Sequence, residues 1–194
     1  EDFTITLKGT RARAIGLIKG SLVTRSLVEE VQSRDGDVVL EGTDLLRLAV
    51  VERHFATGRI GLGLVKGYGL KGGAVATTVA HDSHNIIVIG DKKDDMAAAV
   101  AELKRIGGGM ALSLGGVVHS VPLDIAGLMS SAPCKKHVKL SAALSEMAYA
   151  AGVDRGFEAF MTLSFLALAV LPELRLTDRG LFDVTKFGFT SIDA

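Results

Sequence analysis

A single cysteine, Cys134, stands among 194 residues, so no internal disulfide can form and a lone thiol fits a reducing cytoplasm. Neither sign of charge is in excess. Lys plus Arg and Asp plus Glu each total 22, which leaves no global electrostatic drive toward nucleic acid or an anionic membrane. Tryptophan is absent and aromatics make up 5% of the chain. Without aromatics interleaved with lysines, single-stranded nucleic acid finds no stacking platform. Long apolar runs are missing as well. Residues 160–171, FMTLSFLALAVL, are too short and too interrupted to cross a bilayer, which takes about 20 apolar residues. The chain opens on Glu1 and Asp2 instead of a basic segment, so no signal peptide is expected. The opening EDFTITL, without an initiator Met, reads like the middle of a longer protein.

What is present is an ordinary globular composition, 48% hydrophobic and 23% charged, at a length that suits one domain over residues 1–194. A neutral chain with mean hydropathy +0.35 and no tryptophan suits a domain that covers a partner surface. The expected fold is α/β or α+β: a mixed β-sheet with flanking helices and antiparallel hairpins. Residues 1–50 form an N-terminal strand region. Alternation over 2–7 predicts a strand, and 10–19 with 21–31 a short antiparallel meander about Gly20. Arg11, Arg13 and Arg25 there are expected on a solvated sheet face. Asp35-Gly36 signals a turn. Residues 44–55, DLLRLAVVERHF, allow two elements. Leu45, Leu48, Val51 and Phe55 fall at helical spacing, whereas Val50 and Val51 are β-branched.

Seven glycines follow in GRIGLGLVKGYGLKGGA. No GxxxxGK[ST] occurs, and no GxGxxG sits between a strand and a helix, so a phosphate-cradling loop is not supported. Interleaved with Ile60, Leu62 and Leu64, these glycines mark strands that another backbone approaches closely. Residues 86–89 then predict a buried strand. Asp91 is the expected cap of a helix running through Ile106, with Asp94 and Asp95 in its first turn. Its apolar stripe is Met96, Val100, Leu103 and Ile106, and Gly107 stops it. A hairpin about Gly115-Gly116 comes next. A second helix over 136–151 should turn Val138, Leu140, Leu144, Met147 and Ala151 inward. Residues 160–171 are apolar almost all round, hence core or interface, and short strands finish the chain.

The polar cluster HDSHN at residues 81–85 precedes the buried strand and is the leading functional candidate. His81, Asp82 and His84 are chemically suited to Zn, Mn or Fe, but a catalytic site takes about three protein ligands. HxxH alone does not supply them. The competing account is that these side chains hydrogen-bond their own loop. No GxSxG elbow accompanies Ser83, Ser130 or Ser164. Pro133-Cys134 lacks the second cysteine and the H-x-E of a zinc deaminase signature. Glu52, Arg53 and His54, just before the glycine-rich segment, are second candidates.

The strings RHFATGRIGLGLVKGYGLKGGAVATTVAHDSHNIIVIG, RIGGG, PLDIAGLMS and FMTLSFLALAVLPELRLTDRGLFDV resemble the C-terminal domain of bacterial and archaeal adenine deaminases. The similarity covers nearly all of the chain from Val51 onward. It implies part of an amidohydrolase that converts adenine and water to hypoxanthine and ammonia. It also implies a preceding (β/α) barrel holding a pair of Mn or Fe ions through motifs such as HxH. This chain has no HxH, so the metal ligands are expected outside it. On that resemblance His81, Asp82, Ser83, His84 and Asn85 would support catalysis at the barrel mouth. Glu52, Arg53 and His54 would contact the substrate, and the enzyme would be a cytoplasmic homo-oligomer. Two alternatives remain: a noncatalytic assembly module using 160–171 as its contact, and a small hydrolase using its own HxxH metal.

Overall fold

Seven consecutive buried residues, Leu45–Val51, form the strand at the heart of the molecule. The computed structural model describes residues 2–194. In chain order the strands are β1 (Arg11–Gly16), β2 (Arg25–Glu30), β3 (Gln32–Arg34), β4 (Asp37–Val39), β5 (Leu45–Val51), β6 (Ile60–Lys66), β7 (Gly73–Thr77) and β8 (Ile86–Gly90). They continue with β9 (Gly109–Leu114), β10 (Val117–Pro122), β11 (Leu174–Thr177), β12 (Gly180–Asp183) and β13 (Gly188–Phe189). The helices are α1 (Lys93–Arg105), α2 (Cys134–Ala150) and α3 (Met161–Leu166). Eight strands make one mixed sheet in the order β10-β9-β7-β8-β5-β6-β1-β2, beside a β11-β12-β13 sheet and a β3-β4 pair. Only β1 with β6 is parallel in the large sheet. The expected mixed sheet with flanking helices and hairpins is what the chain forms.

The central strands of the sheet are dry on both faces. Ala49 and Val51 point with Ile86 and Val88 toward α1, against Met96, Ala99, Val100 and Leu103. Leu48 and Val50 point with Ile87 and Ile89 the other way, into Leu144, Leu163, Leu166, Leu174, Leu176 and Leu181. Double burial explains why LAVV and IIVI are unbroken apolar runs. Each such side chain, fully buried, contributes about 1.5–3 kcal/mol. The β11–β12 hairpin lies directly on β6, and glycine makes this contact possible: a Cβ at Gly61 would stand 1.8 Å from the Thr177 carbonyl oxygen. The glycines of this segment therefore serve close backbone approach, as their spacing suggested.

Three expectations need correction, and one open choice is settled. Residues 2–7 form no strand, although Phe3 and Ile5 are buried. Their alternation reflects side chains dropped into the core, with the Ile5 N–H donating to Asp37 Oδ1 at 2.9 Å. Residues 44–55 resolve as the strand β5, because neighbours on both edges and both faces favour β-branched side chains. Asp91 does not cap α1. Lys92 occupies that position without a side-chain cap, and the Asp91 carboxylate accepts the Gly72 and Gly73 N–H groups at 2.8 Å. In α2 only Leu144 and Ala148 are buried. Val138 and Leu140 are 58% and 43% exposed, because the helix meets the sheet along one narrow stripe. Residues 160–171 prove to be partly core: Phe160, Leu163, Leu166 and Ala167 are buried, while Met161 and Val170 are exposed. Gly107 does stop α1, with φ +79.

Gly61→Ala should destabilise the fold by about 3 kcal/mol through overpacking. Gly9→Ala, where an added Cβ meets nothing within 4 Å, should stay within about 0.5 kcal/mol. Thermal unfolding of the two variants side by side checks both.

Candidate functional site

Strand pairing sets Val51, the last residue of β5, opposite Ile86, the first of β8. Residues 52–54 and 81–85 therefore emerge side by side from one end of the sheet. Glu52 is buried, and its carboxylate accepts the N–H groups of His54 (2.5 Å), Phe55 (2.8 Å) and Thr57 (3.0 Å). The Thr57 hydroxyl adds a bond of 2.9 Å. The turn is wound around this carboxylate, with Ala56 in the left-handed region at φ +51. The Thr57 N–H leads the donors that outweigh burial and lower the Glu52 pKa from 4.5 to about 2.

Arg53 and His54 brace the neighbouring loop. Arg53 Nε donates to the His84 carbonyl at 2.6 Å and its terminal nitrogen to the Ala126 carbonyl at 2.8 Å. His54 Nε2 lies 2.8 Å from the Ser83 carbonyl oxygen. A carbonyl only accepts, so this nitrogen carries the hydrogen, and in the neutral ring Nδ1 is left as an acceptor. Within the loop Asp82 and His84 take φ +67 and +47, values tolerated best by Gly, Asn, Asp and His. The His81 N–H donates to Ser164 O at 2.9 Å and the His84 N–H to Ala80 O at 2.7 Å. The His81 ring lies against Phe165, centroids 4.4 Å apart.

The loop is thus fixed by backbone bonds, and its side chains are left over. Three buried atoms of this loop have no partner among the described residues: His81 Nε2, His84 Nδ1 and Asn85 Oδ1. A buried polar atom without a partner costs about 1–3 kcal/mol, so three on one five-residue loop ask for partners from elsewhere. Asp82 and Ser83 are exposed at the tip. All eight residues singled out in the sequence come together at this end of the sheet. Among the described residues no three His, Cys, Asp or Glu side chains converge to hold an ion, and the Arg53 guanidinium, bonded to the His84 carbonyl, would repel a cation.

Several contributors escaped the sequence. Thr78 is buried, donates to Gly127 O at 2.6 Å and accepts the Gly109 N–H at 2.8 Å. It thereby holds the 124–131 loop against Arg53. Gly127, at φ +73, sits where a Cβ would stand 3.0 Å from an Arg53 nitrogen. Phe55 is 81% exposed at the tip of the Glu52 turn. None of the three residue types marks a site by itself, and their roles come from contacts with Arg53 and the loop tips that residue order does not show. A hollow of about 660 Å³ lies elsewhere, bordered by Asp37, Arg47, Lys71 and Lys92. It is at the opposite end of β5, where Arg47 pairs with Gly90. Its charges serve each other: Asp37 accepts from Arg47 and Lys93, both at 2.8 Å. That arrangement clasps residues 2–8 to the sheet.

A family model described as adenine deaminase C-terminal domain matches residues 21–188. The chain belongs to this family. A protein named adenine deaminase from Nitratidesulfovibrio vulgaris (strain DP4) is 51% identical over 192 residues, which cover 98% of this chain and 33% of that relative. Adenine deaminases of Desulfatibacillum aliphaticivorans and Methanothrix thermoacetophila are 48% and 46% identical, over 98% and 97% of this chain and 34% and 33% of theirs. The chain spans about a third of the length of the curated relatives it matches. Among the described residues no helix is long and apolar enough to cross a membrane.

The Glu52 turn gives this family member a pH signature. A carboxyl lowered in the folded state stabilises above its ordinary value, and that contribution is lost as pH falls through the folded one. Exchange protection of the Phe55 and Thr57 amides should therefore hold above pH 4.5 and fade toward about 2. Glu52→Gln should leave those amides poorly protected at every pH. Equal protection in the variant and the wild type would contradict the arrangement.

Proposed function

We propose that this chain is the C-terminal part of an enzyme that hydrolyses adenine to hypoxanthine and ammonia. In this proposal the end of the sheet carrying Glu52, Arg53, His54 and residues 81–85 covers an active site held by the preceding barrel. The observation that carries it is the set of three unpartnered buried polar atoms on a loop whose backbone is braced at His81, Ser83 and His84. A loop that only packed its own domain would satisfy those atoms internally.

The chemistry is suitable. Adenine presents ring-nitrogen acceptors and N–H donors on its edge, and this face offers both kinds of partner. His54 Nδ1 and Asn85 Oδ1 accept, the Ser83 hydroxyl does either, and an imidazole can exchange a proton with a reacting group. Hydrolysis adds water at C6 and expels ammonia, so a proton must reach the departing nitrogen. Residues 81–85 would order the pocket and orient groups for that transfer. The Mn or Fe pair would keep its ligands in the barrel. The same proposal keeps the cytoplasm as the setting, on the lone Cys134, and a homo-oligomer, on the exposed Val138 and Leu140 of α2. An autonomous hydrolase is disfavoured because HxxH gains no third ligand among the described residues. An assembly module built on 160–171 has less support, because Phe160, Leu163 and Leu166 are buried in this domain and only Met161 and Val170 stand exposed.

His84→Asn in the full-length enzyme tests the proposal, since asparagine tolerates the left-handed backbone that alanine would strain. The kcat/KM for adenine should fall about tenfold or more, a loss of about 1.4 kcal/mol. The unfolding temperature should move little. Unchanged kcat and KM would overturn the assignment.

A further inference from the structure

Arg47 is a charged residue inside the central strand, 5% exposed. Its Nη2 donates to Asp37 Oδ2 and to Val38 O, both at 2.8 Å. Nε is sealed without a partner. Nη1 also has no partner among the described residues but, unlike Nε, is not sealed. Arg47, Asp37 and Val38 together border the hollow of about 660 Å³, so the guanidinium and both groups that hold it stand at its wall. A volume of about 300–1,000 Å³ is that of a small-molecule site.

Beyond the charges that serve each other about Asp37, this hollow carries others that serve nothing in the chain. Arg34, Lys71 and Lys92 line it, exposed, with no hydrogen-bond or ion-pair partner among the described residues. The same is true of Glu41 and Asp44. Strand register gathers three of the cations. Arg47 and Ala74 both pair with Gly90, and the Asp91 carboxylate accepts from Gly72 and Gly73. Lys92 follows that carboxylate and Lys71 precedes those glycines. Four cations and four carboxylates line the hollow in all. Two of the carboxylates are spent: Asp91 on its glycines, and Asp37 on the Ile5 and Val38 N–H groups besides Arg47 and Lys93. Balanced charge does not select a polyanion. It suits a ligand with one anionic group for the cations and with hydroxyls that donate to Glu41 and Asp44.

We propose that this hollow binds a monophosphorylated sugar, free or within a nucleoside monophosphate. Its phosphate lies against Arg47 Nη1, Lys71 and Lys92, since guanidinium and ammonium groups are the usual partners of phosphate oxygens. Its hydroxyls donate to Glu41 and Asp44, as ribose hydroxyls do to the acidic residue of dinucleotide sites. Leu40 and Leu70 supply apolar wall for the ring. The site lies at the opposite end of β5 from Glu52 and residues 81–85. It is independent of the catalytic proposal and stands or falls separately.

The test is titration calorimetry on the full-length protein with ribose 5-phosphate, uridine 5′-monophosphate, inorganic phosphate and ribose. Ribose 5-phosphate and the nucleotide should bind saturably, and the tighter of the two identifies the form of sugar phosphate preferred. Inorganic phosphate should bind at least about tenfold more weakly, and ribose without measurable heat. Lys71→Gln with Lys92→Gln, at two exposed side chains without partners, should keep the unfolding temperature and weaken both sugar phosphates at least about tenfold. Glu41→Gln with Asp44→Asn should weaken the sugar phosphates and leave inorganic phosphate unchanged or tighter. No saturable binding by the wild type, with the hollow empty or filled by the rest of the protein, would overturn the proposal. So would sugar phosphate affinity undiminished in the lysine variant.

Discussion

Strand β5 has neighbours in all four directions: β6 and β8 along its edges, α1 over one face, and α3 with β11 and β12 over the other. A backbone so enclosed keeps its polar groups satisfied only inside the ladder, so the sheet interior admits almost nothing polar. The exception within the strand, Arg47, is held by Asp37 and the Val38 carbonyl. Polar side chains with free chemistry are therefore pushed to the two ends of the sheet. At one end they join into a clasp about Asp37. At the other, Glu52, Arg53 and His54 meet residues 81–85. The same enclosure demands glycine at 61, where the β11–β12 hairpin settles onto β6.

Much of this could be read from residue order. The stripe Met96, Val100 and Leu103 and the stop at Gly107 announced α1, and the double burial of IIVI and LAVV showed as unbroken apolar runs. Where the reading failed, a partner distant in sequence decided the outcome. Asp91 has the chemistry of a helix cap, but two N–H groups from residues 72 and 73 reach it first. Val138 and Leu140 have the spacing of an inward stripe, but α2 has too little sheet beneath it to cover them. Phe3 and Ile5 alternate like strand residues, yet find their burial without a neighbouring strand.

The candidate site divides the same way. HDSHN was visible as a polar cluster, and Glu52, Arg53 and His54 as charged residues at a strand end. Their bracing was not visible, because the acceptors are the backbone carbonyls of Ser83, His84 and Ala126, and a carbonyl carries no residue signature. Phe165 beneath His81 was hidden in an apolar run. The result is a face whose backbone is rigid and whose side chains are held ready. Such preorganisation suits the wall of an active site, and it fits a family whose relatives are about three times this chain's length.

The central claim is that this face meets the substrate pocket of the complete enzyme. A structure of the full-length protein with hypoxanthine bound tests it most directly. The account predicts a side chain among His54, His81, Ser83, His84 and Asn85 within about 3.5 Å of the purine or of a group that holds it. The 81–85 loop turned to bulk water, with the purine bound at another face of the domain, would contradict it.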